Sequence, residues 1–173
     1  MHTLILGGAR SGKSHYAEQL AQRSGQDVVY IATAAAGDGE MAERIQQHQQ
    51  SRPAEWLTIE EPLALTKVLM EQAASEKVVL VDCLTLWLTN LLCCEDEARF
   101  AQETEALLEQ ISTLPGHVIF VSNEVGLGVV PMGELSRRFV DETGRLHQRL
   151  AERVGNVVFI TAGLPLAMKG ELQ

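Results

Sequence analysis

One stretch near the start of the chain constrains the fold more than any other feature. Residues 7–14 read GGARSGKS and follow directly on the apolar run TLIL of residues 3–6. Gly7, four further residues and then Gly12-Lys13-Ser14 form the P-loop pattern, which requires a strand before it and a helix after it. Glycines let consecutive backbone N–H groups point into one anion-binding concavity. The pattern therefore predicts a strand, a phosphate-binding loop and a helix.

Each position of this loop has an expected role. The predicted phosphate-binding residues are Gly7, Gly8, Ala9, Arg10, Ser11, Gly12, Lys13 and Ser14. The side chain of Lys13 reaches the β- and γ-phosphates, the hydroxyl of Ser14 ligates Mg²⁺, and the positive end of the helix dipole faces the same point. The alternative is a glycine-rich turn that happens to end in Lys-Ser. The complete pattern with the correct flanks favours a nucleoside triphosphate site.

The length, charge and cysteine content of the chain limit what kind of protein it can be. A chain of 173 residues fits one domain, over residues 1–173. The formal net charge of −9 argues against broad, salt-driven nucleic-acid binding. No apolar run approaches the roughly 20 residues of a membrane span, and the first residues do not resemble a signal peptide. Cys83, Cys93 and Cys94 contain no CxxC spacing. We therefore expect a soluble, cytoplasmic protein with reduced thiols.

Short apolar runs alternate with longer helical patterns along the chain. This alternation predicts an α/β fold with a mostly parallel sheet and helices on both faces. The expected strands are Thr3–Leu6, Val28–Thr33, Val78–Asp82, Val118–Ser122 and Val157–Thr161, with a further short strand possible over Trp56–Glu60. The expected helices are Lys13–Ser24, Gly39–Gln50, Pro62–Ala74, Glu97–Leu114 and Gly133–Val154. Ligands of such sheets bind at the carboxyl ends of the strands.

Asp82 ends the apolar run VVLV of residues 78–81, which is the form of a Walker B strand. An acid at this point lies beside the P-loop and holds Mg²⁺ directly or through water. The alternative role for this aspartate is to cap the helix that follows it. Its pairing with a P-loop in the same chain favours the magnesium role.

The segment around His48 is polar and helical in pattern. Glu40, Arg44 and His48 share one face of the expected helix, and Arg52 follows just beyond. A neutral imidazole in such a cluster is available as a nucleophile or base. Spacing alone, however, favours a solvated surface helix. The remaining histidines, which are His2, His15, His117 and His147, form no pair at a metal-ligand spacing, and structural or surface roles are expected for them.

Two further stretches leave alternatives open. The segment NEVGLGVVP of residues 123–131 follows a central strand, and it is either a functional loop or a turn that needs its glycines. Five arginines lie along Gly133–Val154, interleaved with acids. A salt-bridged face or a subunit contact is expected for most of them, rather than an anion site.

Motifs spread over nearly the whole chain resemble one family. The chain is similar to the bifunctional adenosylcobinamide kinase and adenosylcobinamide-phosphate guanylyltransferase family of cobalamin biosynthesis. The matching stretches are GGARSGKS (7–14), YIATA (30–34), EMAERIQQHQQSRPAEW (40–56), TIEEP (58–62), VDCLTLWLTNLL (81–92), NEVGLGVVP (123–131), RRFVDETGRLHQRLA (137–151) and AGLPL (162–166). Together these motifs are far more specific than a P-loop alone.

The resemblance implies a two-step enzyme. Such an enzyme phosphorylates adenosylcobinamide with ATP or GTP, then transfers GMP from GTP to adenosylcobinamide phosphate through a guanylylated histidine, with release of pyrophosphate. That histidine falls on His48, which with Lys13 is expected to be catalytic. Nucleotide-binding positions carry over to Ala32, Thr33, Ala34, Gln49, Gln50, Ser51, Arg52, Glu60 and Asp82, and magnesium ligands to Ser14 and Asp82. A RecA-like P-loop fold and a homotrimer are further expectations of the resemblance.

Two positions depart from the family pattern. Gln49 stands where a basic residue is common, which removes a cation beside the phosphates, and His147 stands where Asn is common. Two other functions are also considered. The first is a single-step kinase of another small hydroxyl compound, with His48 uninvolved. The second is a regulatory GTP switch, against which the lack of an NKxD-type guanine motif argues.

Overall fold

A seven-stranded sheet forms the centre of the molecule. The computed structural model describes residues 2–34 and 53–172. The strands stand in the order β3-β2-β4-β5-β1-β6-β7, parallel except for β7, which runs antiparallel to β6. Their bounds are β1 Thr3–Gly7, β2 Asp27–Ala32, β3 Leu57–Glu60, β4 Lys77–Asp82, β5 His117–Asn123, β6 Asn156–Thr161 and β7 Leu164–Lys169. The predicted mostly parallel sheet is confirmed, and so is the short strand near residue 57.

Helices cover both faces of this sheet. Within the described ranges they are α1 Lys13–Arg23, α2 Leu65–Gln72, α3 Leu84–Cys93, α4 Glu97–Gln110, followed by a 3₁₀ turn at Ile111–Thr113, and α5 Glu134–Arg153. The helix expected over Gly39–Gln50 lies outside the described residues. No helix in the described part of the chain is long and apolar enough to cross a membrane.

Two apolar cores hold these layers together. On one face α1 packs through Ala17, Leu20 and Ala21 against the sheet, and we call this the α1-side core. On the other face the helices α2 to α5 pack around Trp87, which is fully buried and donates its indole N–H to the carbonyl oxygen of Leu63 at 2.8 Å. Apart from the exposed edge strand β3, the parallel strands have largely continuous apolar runs because they are buried on both sides.

Two elements differ from the sequence-based expectations. The helix α3 was not among the predicted helices, because six of its ten residues are buried and it lacks the polar face that makes a helix recognisable. The strand β7 was not among the predicted strands. It is an exposed edge strand, and its outward residues Leu164, Leu166 and Met168 are apolar, so the usual alternation of polar and apolar faces does not mark it.

Exposed ion pairs lie on the outer face of α5. Arg138 pairs with Glu97, Arg149 pairs with Glu105, and Arg145 pairs with Glu142 within the helix. This confirms the expectation of a salt-bridged face for these arginines. Because the pairs are exposed, each adds little to the free energy of unfolding.

Buried histidines make the stability depend on pH. His2 and His117 lie at the amino ends of the strands, where the ring of His117 hydrogen-bonds Thr3 at 2.9 Å and that of His2 accepts the N–H of Val118. Burial lowers the pKa of His117 from 6.5 to about 4, and it also lowers the pKa of His2. Both rings are therefore neutral in the folded protein at neutral pH.

We expect the free energy of unfolding to fall as the pH drops from 6.5 towards 4. In this window the unfolded chain binds protons that the folded protein does not, so acid favours unfolding. For His117 alone, whose ring is partly open to solvent, the loss is about 2 kcal/mol. Urea titrations at several pH values measure the slope, and His117→Gln should flatten it. A stability that does not change between pH 6.5 and 4.5 would contradict the assignment.

Candidate nucleotide-binding site

The predicted P-loop lies between the end of β1 and the start of α1. Gly12 has φ +95° and Arg10 has φ +55°, so the backbone passes through the left-handed region twice. A Cβ at Gly7 would lie 2.6 Å from the carbonyl oxygen of Ile160 and 2.5 Å from the hydroxyl of Ser11. Glycine is therefore required at Gly7 for close approach and favoured at Gly12 for its backbone angle.

Lys13 is placed to meet an anion in this loop. Its side chain is buried, and its ammonium group donates to the carbonyl oxygen of Gly8 at 3.2 Å, so it lies folded back over the loop. No side chain caps the first turn of α1. The backbone N–H groups of that turn face the loop and, with the helix dipole, form a site for phosphate. Ser14 follows in the same turn.

The turn between β6 and β7 contacts the P-loop through its backbone. The N–H of Gly163 donates to the carbonyl oxygen of Ser11 at 2.8 Å. A Cβ on Gly12 would lie 3.2 Å from the Cα of Gly163, so the two backbones touch. The loop therefore keeps its shape through backbone contacts, which do not depend on a bound ligand.

Asp82 stands at the carboxyl end of β4, as expected. Its Oδ2 accepts a hydrogen bond from the hydroxyl of the buried Tyr30 at 2.9 Å. The alternative capping role is not observed, since Cys83 occupies the N-cap of α3 and no side-chain hydrogen bond caps that helix. β5 stands between β4 and the P-loop strand β1, so Asp82 and the P-loop end two strands that flank β5.

Ala32 and Thr33 lie at the same edge as Asp82. Ala32 pairs in register with Asp82, and the buried hydroxyl of Thr33 donates to the carbonyl oxygen of Cys83 at 2.7 Å. The amide of Asn90 donates to the carbonyl oxygen of Thr33 at 2.7 Å. The first bond engages the Thr33 side chain, the second engages its carbonyl oxygen, and together they rigidify the strand end.

The other predicted positions divide into two groups. Ala34 follows Thr33 at the strand end. Glu60 ends the edge strand β3 in register with Ala32, and three strands lie between β3 and the P-loop strand β1. His48, Gln49, Gln50, Ser51 and Arg52 lie outside the described residues. The structure thus brings together the P-loop, Ala32 to Ala34 and Asp82 at one sheet edge.

Asn123 and Glu124 join this edge, although the sequence left their role open. The side-chain amide of Asn123 donates to the hydroxyl of Thr85 at 3.1 Å, and the N–H of Glu124 donates to the carbonyl oxygen of Gly7 at 3.0 Å. The segment that contains them begins directly beside the P-loop. Their place after a central strand was the available signal, but it did not reveal which strand lay next to β1.

Two other polar groups near the edge are structural. Burial and the neighbouring Asp82 carboxylate raise the pKa of the Cys83 thiol to about 11, so it is a neutral thiol rather than a nucleophile. His147 is buried and hydrogen-bonds the hydroxyl of Ser122 at 2.7 Å. Burial lowers the pKa of His147. This departure from the family pattern therefore lies in the core behind β5.

Comparison with known families gives one match over most of the chain. The family model described as "Cobinamide kinase / cobinamide phosphate guanyltransferase" matches residues 3–168. This range contains the P-loop, Asp82 and the segment around His48.

Curated relatives cover the whole chain. The "Bifunctional adenosylcobalamin biosynthesis protein CobP" of Pseudomonas aeruginosa is 63% identical over 171 residues, which are 99% of this chain and 99% of the relative. The "Bifunctional adenosylcobalamin biosynthesis protein CobU" of Escherichia coli is 38% identical over 182 residues, covering 98% of this chain and 100% of the relative. The similarity is therefore not confined to the nucleotide-binding loop.

Solved structures show the same fold at low identity. The RadB recombinase has a TM-score of 0.52 and 16% identity, with 91% of this chain and 73% of that chain covered. The flagellar accessory protein FlaH from Methanocaldococcus jannaschii has a TM-score of 0.51 and 15% identity, with 99% and 81% covered. These similarities concern the fold alone, and they agree with the predicted α/β arrangement of a mostly parallel sheet with helices on both faces.

Proposed function

The chain belongs to the cobinamide kinase / cobinamide phosphate guanyltransferase family, and on this premise we propose the reactions that it carries out. It phosphorylates adenosylcobinamide with ATP or GTP, and it then transfers GMP from GTP to the phosphate so formed. The observation that carries this proposal is the family match over residues 3–168, which includes an intact P-loop geometry. The single-step kinase is not favoured, because the relatives are named bifunctional.

The first step is phosphoryl transfer within the P-loop. The acceptor hydroxyl oxygen attacks the γ-phosphorus, the bond to the β–γ bridging oxygen breaks, and the nucleoside diphosphate leaves while the hydroxyl proton is lost to water. Catalysis of this kind is mainly positioning and neutralisation of charge. The backbone N–H groups of the loop and the first turn of α1 hold the phosphates, and the ammonium group of Lys13 moves from Gly8 to the phosphate oxygens.

The second step proceeds through a histidine. A neutral imidazole nitrogen of His48 attacks the α-phosphorus of GTP, the bond to the α–β bridging oxygen breaks, and pyrophosphate leaves. A phosphate oxygen of the corrinoid substrate then attacks the guanylyl phosphorus and breaks the P–N bond. His48 lies outside the described residues, and its role is supported by the family motif RIQQHQQSRP at residues 44–53.

Magnesium fits the residues at the sheet edge. The Ser14 hydroxyl and the Asp82 carboxylate are oxygen donors of the kind that Mg²⁺ prefers. Tyr30 donates a hydrogen bond to one carboxylate oxygen and so orients the group. An ion held by these two residues would neutralise charge on the phosphates.

The remaining family positions complete the proposed nucleotide site. Ala32, Thr33 and Ala34 contribute backbone at the strand end, and Gln49, Gln50, Ser51, Arg52 and Glu60 are assigned by the family pattern. Gln49 replaces a common basic residue, so the site holds the triphosphate with one cation fewer. The substrates themselves are proposed to be GTP and ATP.

We place this chemistry in a single domain over residues 1–173 of a cytoplasmic homotrimer. Exposed apolar side chains support self-association, since clusters of them mark interaction surfaces. They lie between β5 and α5, where Leu127 is 81% exposed and Val129 and Met132 are each 96% exposed, and along β7. Light scattering coupled to size exclusion should give the mass of three chains. The mass of a single chain would contradict the trimer.

A product assay tests the two-step function. The protein is incubated with adenosylcobinamide, Mg²⁺ and GTP, and the corrinoids are followed by mass spectrometry. Adenosylcobinamide phosphate should appear first and adenosylcobinamide-GDP afterwards, with pyrophosphate released in the second step. If adenosylcobinamide phosphate accumulates without a GDP-linked product, the protein is a kinase only. If the corrinoid stays unmodified, the proposal is overturned.

A further inference from the structure

The strand β5 ends between the two main features of the nucleotide site. It is hydrogen-bonded to β1 on one side and to β4 on the other, so its carboxyl end lies between the P-loop and Asp82. Asn123 is the last residue of β5 and pairs in register with Gly7, the first residue of the loop. A side chain at this point is therefore next to the place where the phosphates are bound.

The alternation of side chains along β5 shows which way Asn123 points. Ile119 and Val121 belong to the α1-side core, while Phe120 belongs to the core on the opposite face. Successive side chains of a strand point to opposite faces, which puts Asn123 on the same face as α1. Ser122 points the other way and hydrogen-bonds His147.

Asp82 faces the same side of the sheet. Val78 and Leu80 of β4 belong to the α1-side core, and Asp82 continues that alternation. The Asp82 carboxylate accordingly meets Tyr30, another member of this core. Lys13, Asn123 and Asp82 thus come from three elements and lie on one face of the sheet at its carboxyl edge.

Thr85 fixes the orientation of the Asn123 amide. The Thr85 hydroxyl is buried and accepts hydrogen bonds from the side-chain Nδ2 of Asn123 at 3.1 Å and from its backbone N at 3.4 Å. A carboxamide carries two N–H donors and one carbonyl acceptor. Donation to Thr85 therefore uses one N–H and leaves a second N–H for a ligand, within the part of the chain that the structure describes.

We propose that Asn123 is a catalytic contact of the kinase step, donating its second side-chain N–H to a γ-phosphoryl oxygen. This inference rests on the proposed function. The loop N–H groups hold the α- and β-phosphates, Lys13 reaches the β- and γ-phosphates, and the terminal phosphoryl group extends towards the Walker B side. Asn123 lies on that side of the loop. Its N–H holds the group in line with the acceptor hydroxyl, and Thr85 is a positioning residue behind it.

A contact of Asn123 with the γ-phosphate should affect the two reactions differently. In phosphoryl transfer the γ-phosphorus is the reacting atom, and its oxygens carry the charge of the transition state. In guanylyl transfer the α-phosphorus reacts, and the γ-phosphate leaves as part of pyrophosphate. A donor on the γ-phosphate is therefore expected to matter for the first reaction far more than for the second.

The test compares both steps in variants of Asn123. Asn123→Ala should lower kcat for phosphorylation of adenosylcobinamide by about 30-fold with KM for the nucleotide changed less than about threefold, as expected for loss of a transition-state contact. Single-turnover labelling of the protein from GTP carrying label in the α-phosphate should proceed within about threefold of the wild-type rate. Asn123→Asp, which has the same shape but places a carboxylate near the phosphate, should lower kinase kcat at least as much.

Further variants separate contact from structure. Thr85→Ser keeps the hydroxyl and should retain kinase activity, whereas Thr85→Val should lose part of it. Gln102→Ala, which removes an exposed amide from α4, is the matched control and should match the wild type. Wild-type kcat in Asn123→Asp, or an equal loss of both reactions in Asn123→Ala together with a lowered melting temperature, would overturn the inference. A wild-type protein that forms no phosphorylated corrinoid would instead contradict the proposed function.

Discussion

Replacing Lys13 with alanine is expected to slow both reactions of the enzyme by about 10²–10³-fold. The ammonium group is the one side-chain cation held inside the described part of the loop, where it is buried and bonds the carbonyl oxygen of Gly8 at 3.2 Å. Charge develops on the β- and γ-phosphates in kinase chemistry and on pyrophosphate in guanylyl transfer, and in the proposed mechanism Lys13 faces both. Loss of one such stabilising group in a preorganised site costs about 10²–10³ in kcat.

The measurement is the rate of each step under saturating substrates. Phosphorylated corrinoid reports the first step, and label from the α-phosphate of GTP on the protein reports the second. Lys67→Ala is the matched control, because Lys67 is an exposed lysine of α2. The free energy of unfolding should change little, since Lys13 contributes one hydrogen bond to the loop. A Lys13→Ala enzyme within tenfold of the wild type in both steps would refute this role.

His48→Ala is expected to remove guanylyl transfer and leave the kinase step intact. Free imidazole has a pKa of about 6.5, so its neutral form is present at neutral pH and can act as the nucleophile. Without that nitrogen no covalent intermediate forms, and the corrinoid should accumulate as its phosphate. Nucleophile removal costs about 10⁴-fold or more where the intermediate is obligatory.

The covalent label identifies the intermediate directly. Label from the α-phosphate of GTP should bind the wild-type protein in a form that is labile to acid and stable to base, which is the behaviour of a phosphoramidate. His15→Ala is a control, because the His15 ring is exposed and hydrogen-bonds Gln19. Undiminished labelling of His48→Ala would place the nucleophile elsewhere. Loss of the kinase step as well would show that the residue serves the fold or both reactions.

Local features of the sequence predicted much of the fold. Five predicted strands and the start of α1 agree with the structure to within a residue or two, because buried parallel strands are short apolar runs and the P-loop spacing sets the strand and helix around it. The helix α3 and the strand β7 were missed for opposite reasons. One is buried almost all round, and the other exposes apolar residues at an edge.

Some residues of the candidate site were also recognisable from the sequence, and others were not. The P-loop residues and Asp82 were recognisable because their chemistry depends on local spacing and on a strand end. Asn123 was not included among the predicted site residues, because its position beside the P-loop depends on β5 lying between β1 and β4. That neighbourhood joins residues more than 100 positions apart, such as Gly7 and Asn123.

The P-loop, the alternation of strands and helices and the family motifs follow from the sequence by itself. They predicted a nucleoside triphosphate site and the family to which the chain belongs. The tertiary structure alone decided the order of the strands, and with it which side chains lie together at the carboxyl edge of the sheet. It placed Asn123 between the loop and Asp82, moved His147 into the core and engaged Tyr30 with Asp82. The physical reason is that strand order is set by packing and pairing between distant segments, which no local spacing records.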